Sequence, residues 1–218
     1  MLELKQVTKV YRGADKEVSA LDKVSLNIGP GEFVVIQGPS GSGKSTLLFT
    51  AGVLLAPDAG EVLIEGQNPY DLSFEKRAGL RAQKIGFVFQ DFHLIPYLSV
   101  LENVLVPSLL LKAENSREKA DSIVKHFGLE QRSKHVLAEL SAGECQRTAL
   151  ARAFMNSPKI IFADEPTGNL DRDNARAVIS YLGEFTGQGG IVLLVTHDEY
   201  AARYASRTLY LKEGKLVE

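Results

Sequence analysis

Through the first 28 positions apolar residues recur at alternate places, Leu2, Leu4 and Val7, then Leu21, Val24, Leu26 and Ile28, with a turn expected at 12–16 between the two runs. A period of two is the mark of half-buried strands and predicts an antiparallel sheet at this end. After Gly29-Pro30-Gly31 the pattern changes: Phe33-Val34-Val35-Ile36 is continuously apolar, as in a strand covered on both faces, and a glycine-rich loop and a helix over 46–51 follow it. Further strands are predicted at 62–64 and 85–89, joined by a polar helical connector over 72–82. From 91 to 157 strand signals fade and helices are expected over 116–127, stopped by Gly128, and over 141–155. We read that stretch as an inserted helical lobe. Beyond it come the run Ile160-Ile161-Phe162-Ala163 and a helix with Ala175, Val178, Ile179 and Leu182 at i, i+3, i+4, i+7. The strand Ile191-Val192-Leu193-Leu194-Val195 follows, then a hairpin at 208–211 and 215–217 around Glu213-Gly214. Buried strands alternating with helices predict an α/β fold, a parallel sheet covered on both sides.

Composition narrows the classes open to such a fold. A chain of 218 residues is one large domain, able to stand on its own core. Its 25 basic and 27 acidic side chains leave a formal charge of -2, without the basic excess of a nucleic-acid binder. No apolar run approaches the ~18–20 residues of a membrane span. The alternating N-terminal segment lacks the apolar stretch of a secretory signal, and the single cysteine, Cys145, allows neither an internal disulfide nor a cysteine zinc cluster. A reducing, cytoplasmic location is the expectation.

The chemistry begins in the loop. Gly38-Pro39-Ser40-Gly41-Ser42-Gly43-Lys44-Ser45 fits G-x-x-x-x-G-K-[ST] and lies between a buried strand and a helix. Glycines let backbone N–H groups turn inward around phosphate oxygens, and the helix adds its positive end. Lys44 is then placed for the β- and γ-phosphates and Ser45 for Mg²⁺. Asp164-Glu165 ends the strand that starts at Ile160, at the edge where open α/β sheets bind ligands. Alone, such a pair is more often a helix cap or a solvated feature. With a phosphate loop upstream, Asp164 fits the Mg²⁺ shell and Glu165 a water-orienting or proton-accepting role.

Leu140-Ser141-Ala142-Gly143-Glu144, followed by Gln146 and Arg147, resembles the LSGGQ signature of ATP-binding cassette (ABC) ATPases. The other motifs of that family follow in order. Tyr11 resembles its adenine-stacking aromatic, Gly38–Ser45 its Walker A segment, with Thr46 after it also at the nucleotide, and Gln90 its Q-loop. Asp164 and Glu165 resemble its Walker B end, Asp171 its D-loop and His197 its switch histidine. The resemblance implies a RecA-like P-loop core with a mostly parallel sheet (1–90 and 158–218), an N-terminal antiparallel β-subdomain and an inserted α-helical lobe (91–157), together one domain. It also implies ATP and Mg²⁺, with Ser45, Gln90 and Asp164 at the metal, Glu165, His197, Lys44 and Gln90 at the reacting phosphate, and Ser141, Gly143, Glu144 and Asp171 facing the nucleotide of a second copy. Ser141 with Glu144 is also a capping-box spacing, and Asp171 is expected to cap the helix after it. Ala142 stands where the family has glycine and Glu144 where it has glutamine, so modified activity is expected.

In this family closure of two cassettes, bound head to tail, moves an integral membrane permease from the inner face of the membrane. Phe92, Leu94, Ile95, Tyr97 and Leu98, beside Gln90, fit a docking surface for it, or equally a core within the lobe. The segments 89–96 and 165–171 look like the branch of lipoprotein-releasing, macrolide-export and cell-division ATPases, the last transmitting force without transport. Zinc cysteines, a basic face and an N-K-x-D guanine-reading motif are missing from the sequence, against repair or translation ATPases and against GTPases. A module that binds ATP without turnover stays open.

Overall fold

The computed structural model describes residues 1–13, 17–111 and 114–217; positions 14–16 of the expected first turn lie outside them. The two alternating runs form strands longer than their apolar positions suggest, β1 (Leu2–Arg12) and β2 (Glu17–Ile28), paired antiparallel with Leu4 opposite Leu26. Register shifts between Leu4 and Val10 bend this ribbon, and at the bend the Gln6 N–H finds the Ser25 hydroxyl at 3.0 Å instead of a ladder carbonyl. The continuous run becomes β3 (Phe33–Gln37), followed by α1 (Lys44–Ala51) and β4 (Ala59–Ile64). β4 pairs with the free edge of β1 and completes a three-stranded sheet in the order β2-β1-β4.

α2 (Phe74–Lys84) leads into β5 (Ile85–Phe89). The helical stretch resolves into α3 (Val100–Leu105), α4 (Ser108–Leu111), α5 (Ser116–His126) and α6 (Ala142–Phe154). β6 (Ile160–Asp164), α7 (Arg172–Gly187), β7 (Ile191–Val195), β8 (Arg207–Lys212) and β9 (Lys215–Val217) complete the chain. The second sheet runs β5-β6-β7-β3-β8-β9, parallel except for β9.

Burial on both faces explains the continuous apolar runs. Successive residues of one strand serve two different cores: Val34, Ile36, Phe162, Leu193 and Val195 pack toward α1 and the antiparallel sheet, whereas Phe33, Val35, Ile161, Ala163, Val192 and Leu194 pack toward α3, α5, α6 and α7. Each large side chain so buried contributes about 1.5–3 kcal/mol of transfer free energy. The parallel register then sets one row across the sheet, Phe89 beside Asp164, Asp164 beside Val195, Val195 beside Ile36. The loops that leave the strands just past this row carry Gly38, Gln90, Glu165 and His197.

Candidate active site

The phosphate-type loop owes its shape to glycines at three left-handed positions, Gly38 (φ 148°), Gly41 (φ 76°) and Gly43 (φ 104°). Space reinforces the backbone argument at two of them. A Cβ on Gly38 would lie 2.1 Å from the Leu211 carbonyl oxygen, and one on Gly43 equally close, 2.1 Å, to that of Ala20. The underside of the loop is thus clamped between β2 and the β8–β9 hairpin, and Gly214 N–H donates to Ser42 O at 3.0 Å. The upper side is different: α1 starts at Gly43 with no side-chain cap and no acidic residue in its first turn, so its positive end is uncompensated by side chains. Lys44 is 9% exposed and its ammonium donates to Gly38 O at 2.8 Å and Pro39 O at 3.0 Å. The Ser42 hydroxyl is buried without a partner.

Opposite this loop, Asp164 ends β6 half-buried. Burial raises its pKa, the neighbouring Glu165 adds to the effect, and the Ser45 hydroxyl bond and Lys44 work against it. An acid under that strain, hydrogen-bonded to Ser45, is suited to a divalent cation; no group of three or more His, Cys, Asp or Glu among the described residues forms a self-sufficient metal site. Glu165 follows in a left-handed conformation (φ 45°), an unfavourable one for a non-glycine residue, with its N–H fixed to Val195 O at 2.8 Å. Its carboxylate lies 3.4 Å from His197 Nε2 and accepts from the His197 backbone N–H at 3.3 Å. Tyr11, Ser40, Gly41, Lys44, Ser45 and Thr46 share one cleft of about 440 Å³ with Asp164, Glu165 and His197. Tyr11 is 46% exposed there, its hydroxyl 3.5 Å from Thr46 Oγ1.

The remaining expected residues lie elsewhere. Gln90 does not line that cleft: its side-chain amide donates to Asn169 Oδ1 at 3.4 Å and its backbone carbonyl accepts from Asn169 Nδ2 at 3.1 Å. Ser141 caps α6 in a complete capping box with Glu144, and Asp171 caps α7 by accepting from the N–H groups of Asp173 and Asn174, both at 3.0 Å. Ala142 is exposed at the start of α6. Glu144 is held well below the usual carboxylate range, at about 2, first by the Ser141 backbone N–H and then by Arg132, whose Nε donates to Glu144 at 2.8 Å. A Cβ on Gly143 would meet Asn174 Oδ1 at 2.3 Å, and Asn174 in turn accepts from Arg147 at 2.8 Å and donates to Asp171 at 2.6 Å. Arg147 and Asn169 stand in the sequence only as members of the signature and D-loop segments, and Arg132 and Asn174 carry no motif. Arg132 reaches Glu144, Asn169 reaches Gln90 and Arg147 reaches Asn174 through contacts made by the fold, whereas Asn174 meets Asp171 within one helical turn.

A family model described as ABC transporter matches residues 21–168. The chain belongs to that family. The cassette is therefore an ATP-binding and ATP-hydrolysing subunit of an ABC transporter. It is 41% identical to the lipoprotein-releasing system ATP-binding protein LolD of Hyphomonas neptunium, over 100% of this chain and 97% of that protein. Against the macrolide export ATP-binding/permease protein MacB of Chlorobaculum tepidum it is 43% identical over 100% of this chain but spans only 34% of the relative. A solved dimeric ATP-binding cassette in a post-hydrolysis state, bound to ADP and Pi, superposes with a TM-score of 0.92 at 42% identity, covering 100% of this chain and 97% of that one.

Proposed function

We propose that the cassette hydrolyses Mg·ATP as a head-to-tail homodimer on the inner face of a membrane, driving a separate permease of lipoprotein-release or macrolide-export type. The observation that carries the catalytic part is one cleft holding the uncapped start of α1, Lys44, and the Asp164–Glu165–His197 group. Adenine would rest on Tyr11. The N–H groups of residues 40–46 and the Lys44 ammonium would take the β- and γ-phosphates, with Lys44 turning from the Gly38 and Pro39 carbonyls to do so. Ser45 and Asp164, joined by Gln90 once it leaves Asn169, would hold Mg²⁺, which offsets phosphate charge. Glu165 orients the attacking water and accepts its proton, and His197 contacts the γ-phosphate. Ser141, Gly143, Glu144 and Asp171 would complete the site of the second copy.

The permease assignment rests on the kinship with LolD and MacB, and on a surface suited to it. No helix of the described residues is long and apolar enough to cross a membrane, so the membrane part belongs to another chain or segment. Beside Gln90 the apolar residues divide: Leu94 is buried, Phe92, Ile95 and Leu98 are half-buried, and Tyr97 is 79% exposed. The exposed and half-buried members of this segment offer apolar contact to a permease loop. We retain the division into a core (1–90, 158–218) and a helical lobe (91–157) within one domain.

Glu165→Gln tests the reading. Turnover is expected to fall at least about a hundredfold, the scale of a lost general base, while ATP binding persists and light scattering detects an ATP-dependent dimer. A variant that turns over normally, or stays monomeric with ATP even beside its membrane partner, removes the proposal.

A further inference from the structure

The first turn of α6 contains a competition for one proton. Ser141 Oγ has a single hydrogen, and it is donated to Glu144 Oε2 at 2.9 Å; the same oxygen accepts the Ser141 backbone N–H at 2.8 Å. A phosphate placed at this helix start would need that hydroxyl to turn outward, and it would meet a carboxylate in the first turn that counters the positive helix end. The other oxygen, Glu144 Oε1, accepts Arg132 Nε at 2.8 Å. Arg132 ends a short helical turn, Glu130–Arg132, that follows fully buried Leu129 and is tied to α3 by Leu101 N–H on Ser133 O at 3.0 Å and Val100 N–H on His135 O at 2.9 Å. Its guanidinium is therefore delivered to Glu144 by a fixed piece of backbone, while the side chain remains 45% exposed.

We propose that Arg132 is a positioning residue for the nucleotide bound by the second copy: by holding and neutralising Glu144 it weakens the carboxylate's hold on the Ser141 hydroxyl, so that an arriving γ-phosphate can take that hydroxyl and the start of α6. The inference rests on the head-to-tail reading above. A bare carboxylate would both retain the Ser141 proton and repel the phosphate. Paired with a guanidinium it is a weaker acceptor and the turn has no net charge.

The test uses the full chain carrying Glu165→Gln and reads, by light scattering, the ATP concentration that half-saturates dimer formation. Arg132→Ala is expected to raise it about fivefold, on the scale of one exposed charge interaction, and added salt to narrow the gap. Arg132→Lys should restore most of the loss. In a Glu144→Gln background, where no carboxylate charge remains, Arg132→Ala should produce no shift. An equal shift in that background, or no shift in the parent, overturns the role of Arg132. Ser141→Ala separates the two layers: if it weakens dimerisation and Arg132→Ala does not, only Arg132 loses its role; if neither does, the head-to-tail reading of α6 fails with it.

Discussion

Lys44 donates to the carbonyls of Gly38 and Pro39, and both bonds must be exchanged for phosphate oxygens when nucleotide enters. A charge-assisted bond of this kind is worth about 1.5–3 kcal/mol, so Lys44→Ala is expected to weaken ATP binding roughly ten- to a hundredfold in a calorimetric titration. An unchanged Kd would mean that the loop amides alone carry the affinity. Residues of this sort were legible beforehand because their partners are local: the loop glycines, Lys44 and Ser45 share one stretch of eight residues, and Asp171 caps the helix that begins beside it. Gln90 was legible as a type and not as a placement. Its amide meets Asn169, 79 positions away, and no local pattern reports such a contact. Arg132 escaped for the same reason, being 12 residues from Glu144 across an irregular segment.

Among the elements, α6 has two dissimilar ends. Its later turns pack Leu150 and Ala151 against the sheet, and its first turn is a capping box with a strongly acidic Glu144. Because the folded pKa is about 2 against an ordinary 4.5, Glu144 adds stability that is fully present above about 4.5 and is lost as pH falls toward 2. The stability difference between the parent and Glu144→Gln is therefore expected to shrink across that window in urea melts at successive pH values; a constant difference would show that the carboxylate charge contributes nothing. The S-x-x-E spacing of α6 was read correctly from sequence. The same spacing at Ser99 and Glu102 starts α3, which went undistinguished within the helical stretch because six residues are too few to display a period. β1 and β2 extend past their apolar positions since a ribbon edge also pairs through polar residues, Arg12 opposite Glu17 among them.

At the scale of the whole molecule the fold class followed from the continuous runs at 33–36, 160–163 and 191–195, which make sense only with a core on each face of the sheet. Strand order did not follow, because nothing within a buried run names its neighbour. A head-to-tail pair takes the phosphate loop of each site from one copy and the α6 start from the other. Mixing Lys44→Ala with Ser141→Ala protein then yields heterodimers in which one site bears both lesions and the other bears none. ATPase activity of the mixture is expected to exceed that of either variant alone, and a merely averaged rate would exclude shared sites. The clamp beneath the phosphate loop has a consequence in time as well. The loop is held against the Leu211 carbonyl and the Gly214 N–H, so segments made early in translation take their working shape from segments made some 170 residues later. A ribosome-arrested chain ending before β8 is expected to escape photo-crosslinking to azido-ATP, and one extended beyond β9 by a linker to be labelled. Capture of label by the shorter chain would contradict this. Synthesis itself then withholds nucleotide from the unfinished cassette, which cannot consume ATP before β8 and β9 have been made.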